Sequence, residues 1–132
     1  MAAFVLNANG KRIIANKLSG TGADAATVPA FLAWGTGGVA ATAADTALGT
    51  IAAPTVTTAV TGTASTVTIT NTGDTFQVVG TITAGGVLNI IEVALLNQAT
   101  VAGASNFLRA DHGSTVLVSG DSIAYTIRAQ FT

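Results

Sequence analysis

Asp111, His112 and Ser114 are the one place where the chain sets an acid, an imidazole and a hydroxyl side by side, and His112 is its only histidine. These are the residue types of acyl transfer by an activated serine, but the spacing is wrong. Nucleophile, base and orienting acid must stack in line, which neighbours within one D-H-G-S turn cannot generally do. The turn reading, in which Asp and Gly shape the backbone, therefore takes precedence. Glu92 offers other chemistry, that of a general acid tuned by burial, yet no second carboxylate lies in a comparable setting to share the work. Its structural reading is an ion pair with Arg109, since both are charges that fall inside strand-like segments. Breaking a buried pair from one side costs about 3–5 kcal/mol, whereas replacing both partners by apolar residues is often tolerated. The expectation for a structural pair is thus that Glu92→Met with Arg109→Leu recovers much of the loss.

The remaining candidates are weaker. The glycine clusters at 20–22 (GTG) and 35–38 (GTGG) lack both the G-x-G-x-x-G spacing and a following Lys-Ser/Thr, so they read as loops rather than phosphate cradles. Asp24, Asp45, Asp74, Asp111 and Asp121 are scattered singly in turn-like contexts, which does not suggest the converging oxygens of a calcium site. With no cysteine, disulfides and thiolate-ligated metals are excluded. No cofactor is called for. Lys11, Arg12 and Lys17 form the only basic cluster. It is too small, and too poor in interleaved aromatics, for a nucleic-acid surface, and fits a contact to an acidic protein partner better.

The whole composition points the same way. Only 8% of residues are charged and the net charge is −1, against about 25% charged in an ordinary globular chain. A 13.0 kDa monomer exposes roughly 6,300 Å² by mass scaling. The charges are thinly spread over such a surface, and low net charge favours association. Thr, about one residue in six, supplies uncharged hydrogen bonding on strand faces. The surface reads as one to be covered by copies of itself, a homo-oligomer. At the N-terminus the charges follow the apolar residues, the wrong order for a secretion signal. No run reaches the roughly 18 apolar residues of a membrane helix, so no membrane partner is expected.

The elements that must position these residues follow from periodicity. Val87 to Asn97 (VLNIIEVALLN) is the longest apolar run and reads as the central strand of a sheet, with Glu92 on the face of Ile90, Ala94 and Leu96. Met1 to Ala8 reads as an extended arm whose apolar tip, Phe4, Val5 and Leu6, would pack on a neighbour together with Lys11 and Arg12. Asn9 stands where an N-cap would, before a short helix from Lys11 to Leu18 with Ile13, Ile14 and Leu18 on one side. Val28 to Trp34 reads as a strand, and Thr42 to Leu48 as one helical turn with capping-box spacing between Thr42 and Asp45. Thr55 to Thr61, Thr66 to Asn71, Thr75 to Thr83, Asn106 to Ala110, Thr115 to Val118 and Ser122 to Phe131 complete a set of about eight short strands. GTAS, NTGD, DHGS and SGDS serve as turns. The expected fold is one all-β domain over residues 1–132, an antiparallel β-sandwich of jelly-roll type with one short helix within about residues 1–20.

Three segments carry a family resemblance. LAWGTGGVAATAADTALGT, Leu32 to Thr50, is similar to a segment of small virion proteins of tailed bacteriophages, in which a strand ending in a W/L-G-T-G turn precedes an A-x-x-T-A-L-G element. LNIIEVALLNQAT, Leu88 to Thr100, with NFLRADHGSTVLVSGDSIAYTIRAQFT, Asn106 to Thr132, resembles the closing half of the same family. There a strand carrying a Glu is followed by a strand ending in Arg and by G-D-x-I before a last alternating strand. The resemblance implies a structural virion protein rather than an enzyme. Relatives of this kind are capsid decoration (cement) proteins and tail or tail-fibre components. The absence of a stalk or a coiled-coil repeat favours a decoration module, a trimer over a local threefold in contact with the major capsid protein. An adhesin module for carbohydrate or a host receptor is the alternative from another class, and it is poorly served by one Trp and one Tyr.

Overall fold

A computed structural model describes residues 4–50, 52, 59–101 and 104–132. The chain runs β1 (Val5–Leu6), α1 (Ala8–Ser19), β2 (Phe31–Gly35), β3 (Val60–Thr61), β4 (Thr63–Val67), β5 (Thr75–Thr83), β6 (Leu88–Leu96), β7 (Asn106–Leu117) and β8 (Ser122–Gln130). Among the described residues it is mostly β, with this one short helix, and every strand pair is antiparallel. A five-stranded sheet has the order β1-β7-β6-β2-β3, and a three-stranded sheet the order β4-β5-β8.

β6 stands at the centre of the larger sheet because its branched apolar side chains can be buried on both faces. Ile90, Val93 and Leu95 join Leu32, Trp34, Val78, Ile82, Tyr125 and Ile127 in the core shared by the two sheets. Ala94 and Leu96 face the other way, into a smaller cluster with Ala33, Leu48 and Val101. Simple alternation would put Ile90 on the side of Ala94. A β-bulge between Ile90 and Glu92 reverses the parity, so that Ile90 enters the main core while Glu92 stays on the outer face.

The same irregularity corrects the reading of DHGS as a turn. β7 is continuous through it, and Ile90 pairs with Thr115 while Glu92 pairs with Asp111, so His112 to Ser114 are accommodated opposite Ile91 alone. GTAS is likewise not a turn: Gly62 is the corner at which the chain leaves the larger sheet, and Thr63 begins β4 in the smaller one. Of the expected strand Thr55 to Thr61, residues 55–58 lie outside the described residues, and Val60–Thr61 is observed.

The helix starts earlier than expected. Asn7, not Asn9, is the N-cap, with its side-chain oxygen accepting from the Gly10 N–H at 2.9 Å, and Gly20 closes the helix in the left-handed conformation. Ile13 is buried against the main core, but Leu18, expected on the same side, is 85% exposed. Phe4, Val5 and Leu6 are half-buried rather than a free tip: Val5 and Leu6 pair with Arg109 and Leu108, and Phe4 and Leu6 pack on the main core. Unpaired strand residues beside an open sheet edge satisfy their backbone groups by joining it. Residues 1–3 of the expected arm lie outside the described residues.

Candidate functional site

The outer face of the five-stranded sheet carries a buried ionic centre. β6 places Glu92 there and β7 places Arg109 and Asp111 on the same face, since Glu92 is paired with Asp111 and Ala94 with Arg109. The expected pair forms: Arg109 Nε and Nη2 lie 2.8 and 2.7 Å from Glu92 Oε2. Both residues are buried. The guanidinium also reaches Asp45 Oδ2 at 2.6 Å, the Val39 carbonyl at 2.6 Å and Asp111 Oδ1 at 3.3 Å. Burial alone would push Arg109 down, but the hydrogen bond it donates to Asp45 and the charge of Glu92 outweigh that and hold it above its ordinary value.

Three carboxylates around one guanidinium leave negative charge to be met, and backbone N–H groups of one loop meet it. Gly37 and Thr50 donate to Glu92 Oε1 at 3.1 and 2.9 Å, and Gly49 donates to Oε2 at 3.0 Å. Ala41 donates to Asp111 at 2.6 Å. GTGG is a loop, as expected, and with Gly49 and Thr50 its Gly37 forms a cradle of N–H groups whose anion is the chain's own Glu92. Its glycines are needed for close approach: a Cβ at either Gly35 or Gly37 would stand 2.5 Å from Glu92 Oε1. Thr42 and Asp45 do interact, through Thr42 N and Oγ1 to the Asp45 carboxylate at 2.8 and 2.9 Å, but they form a turn instead of a helix. The backbone donor of Thr42, then Arg109, hold Asp45 below the usual carboxylate range. The result is that the loop from Thr36 to Thr50 is fastened across β2, β6 and β7 by charge.

Sequence reasoning found Glu92 and Arg109 but missed Asp45, Asp111 and the glycine cradle. The available signal was a glycine cluster directly after an expected strand, in a chain with a single Glu. It also missed a second polar tie. Asp24, buried, accepts from Arg12 at 3.1 Å, from Asn16 at 3.2 Å and from Asn97 at 2.7 Å, while Arg12 donates to Ser105 at 2.9 Å. Lys17 donates to the Ala25 carbonyl at 3.2 Å. Arg12 and Lys17 are therefore engaged with the chain's own loops, and Lys11 stands exposed.

Asp111, His112 and Ser114 are not assembled into a triad. Asp111 is turned to Ala41 and Arg109, Ser114 donates to Asn89, and His112 lies 3.1 Å from the Tyr125 hydroxyl through Nε2. His112 Nδ1 lies 2.9 Å from the Gly113 carbonyl, which can only accept, so Nε2 is left to accept from Tyr125 in the neutral ring. Burial pushes the Tyr125 phenol up, away from use as a base. His112 and Tyr125, with Thr115, Ile123 and Thr126, line a groove of about 340 Å³ between β7 and β8. A second groove of about 320 Å³, walled by Ile13, Leu18, Val28, Phe76, Phe107 and Phe131, is almost wholly apolar. Phe131 belongs to it, half-exposed, instead of pointing inward as the last position of β8, because β8 ends at Gln130. Trp34 and Tyr125 are buried, so neither offers the exposed ring that sugar stacking uses. No group of three or more His, Cys, Asp or Glu that could hold a metal ion occurs among the described residues.

Comparison with known proteins finds no matching family model, no matching curated protein and no matching solved structure.

Proposed function

We propose that this chain is a structural protein of a phage virion, a capsid decoration protein that assembles as a homo-oligomer on the outside of the head and bridges major capsid subunits. One observation carries the reading: the three segments that resemble small phage virion proteins converge on the buried ionic centre. Leu32 to Thr50 supplies Gly37, Asp45, Gly49 and Thr50, Leu88 to Thr100 supplies Glu92, and Asn106 to Thr132 supplies Arg109 and Asp111. In this reading the charged residues serve anchorage, which suits a module whose task is mechanical. The sparse charge of the surface supports association with copies and with a shell. The threefold arrangement implied by the resemblance is the proposed assembly. We read the fold as a jelly-roll type of sandwich, on the nesting of the β6–β7 hairpin in one sheet against the β5–β8 pair in the other.

Electron microscopy of the source particle with an antibody to this chain tests the reading. Label on the head exterior is the expected result. Label confined to the tail moves the chain to the tail-component reading, and particles free of label overturn both.

A further inference from the structure

β8 is an edge strand without the usual defences. Among the described residues it has β5 on one side and no strand on the other. Natural edges are blunted by shortness, Lys, Pro or bulges. β1 and β3 are two residues long, and the stretch of β7 beyond β1 carries the bulge at His112 to Ser114. β8 is nine residues long and keeps an unbroken register with β5, from Thr75↔Gln130 to Thr83↔Ser122. Its one charge, Arg128, is drawn back toward β5 by Gln77 at 2.7 Å.

The phase of the ladder shows which groups the edge offers. Phe131 N donates to the Asp74 carbonyl and Ala84 N to the Asp121 carbonyl, so the odd-numbered residues turn their backbone groups to β5. By alternation, Ser122, Ala124, Thr126, Arg128 and Gln130 turn N–H and C=O outward. All five are exposed.

We propose that β8 is a template for strand addition and that its occupant is β8 of a second copy, antiparallel and centred on Thr126, giving a continuous six-stranded sheet. Self-complementarity selects this occupant. With Thr126 opposite itself, Arg128 falls opposite Ala124 and Gln130 opposite Ser122, so no like charges meet. A net charge of −1 adds little repulsion between copies. Such a contact is two-fold. It is additional to the proposed threefold and would join copies standing on neighbouring threefold positions. The choice of a second copy rests on the homo-oligomer reading above; the open edge does not.

Disulfide trapping tests it on the full chain, which has no cysteine of its own. Thr126→Cys should cross-link to itself under mild oxidation, while Ala124→Cys and Arg128→Cys should link only when mixed with each other. Sedimentation should give twice 13.0 kDa, or a multiple containing that pair, and Thr126→Pro should halve the mass, since it removes an outward N–H and leaves the bonds to β5 in place. Ala124→Lys should do the same without a proline. A chain that sediments as a monomer overturns this contact and the homo-oligomer reading together. An oligomer that survives Thr126→Pro and Ala124→Lys, or that links through Ala124→Cys alone as fast as through Thr126→Cys, overturns this contact only.

Discussion

Gly35 lies directly opposite Glu92 across the β2–β6 pair, and the space a methyl group would need there is taken by the Glu92 carboxylate and the Thr50 carbonyl. Glycine at this point is what lets a charged side chain lie flat under its own loop. Gly35→Ala should therefore destabilise the fold by at least about 1–3 kcal/mol, the usual cost of overpacking. Gly38→Ala, three residues beyond the sheet pair and with open space around it, should change stability far less. Urea unfolding of the two variants checks the contrast.

Arg109→Ala and Glu92→Ala should each cost about 3–5 kcal/mol, with a coupling energy in the double-mutant cycle well above about 0.5 kcal/mol. Glu92→Met with Arg109→Leu is where the structure changes the expectation drawn from an isolated pair. Those two apolar side chains would strand the Gly37, Gly49 and Thr50 N–H groups and take the guanidinium from Asp45 and Asp111, and each buried unpaired group costs about 1–3 kcal/mol. The double variant should be no more stable than the worse single one. Recovery of most of the loss would show that the backbone donors matter little.

The helix cap is separable from the rest. Asn7→Ala should lower stability by about 1 kcal/mol through loss of the bond from Gly10, while Asn9→Ala should stay within about 0.5 kcal/mol. Thermal unfolding of both variants distinguishes the observed cap from the one expected from sequence.

Acid should weaken the fold through two carboxylates. Asp74 is held well below its ordinary value of 3.8, first by the Asn71 backbone N–H, with Ile69, Thr70 and Gln130 adding to it. Asp45 is lowered by Thr42 and Arg109. A depressed folded value means that the stabilisation is present above the unfolded value of 3.8 and is lost as pH falls below it toward the folded values. The melting temperature should therefore drop below about pH 4, and Asp74→Asn should make that drop shallower. A melting temperature that is flat from pH 5 to pH 2 would contradict the assignment.

Periodicity made the strands around Glu92 legible, and β5 and β8 start where alternation starts. What it could not show was the bulge at Ile90 to Glu92, where two extra residues of β7 leave composition unchanged while the side chains that enter the core change. The same limit made DHGS resemble a turn: Gly, Asp and Ser serve a bulge as readily as a reversal. The ion pair could be read because charges are so rare in this chain. Its other partners could not: Asp45 meets Arg109 only once the loop from Thr36 folds over the sheet, and Asp111 shares the Arg109 face only because β7 runs on through DHGS.

That the Glu92 carboxylate fastens this loop is the central structural claim, and amide hydrogen exchange at Gly37, Gly49 and Thr50 tests it most directly. In the unaltered chain the three amides should be protected together, far beyond exposed loop amides such as Gly38. In Glu92→Gln they should lose that protection together, while amides of β5 and β8 keep theirs. Exchange of all three at the rate of an open loop in the unaltered chain, or protection unchanged by Glu92→Gln, would contradict it.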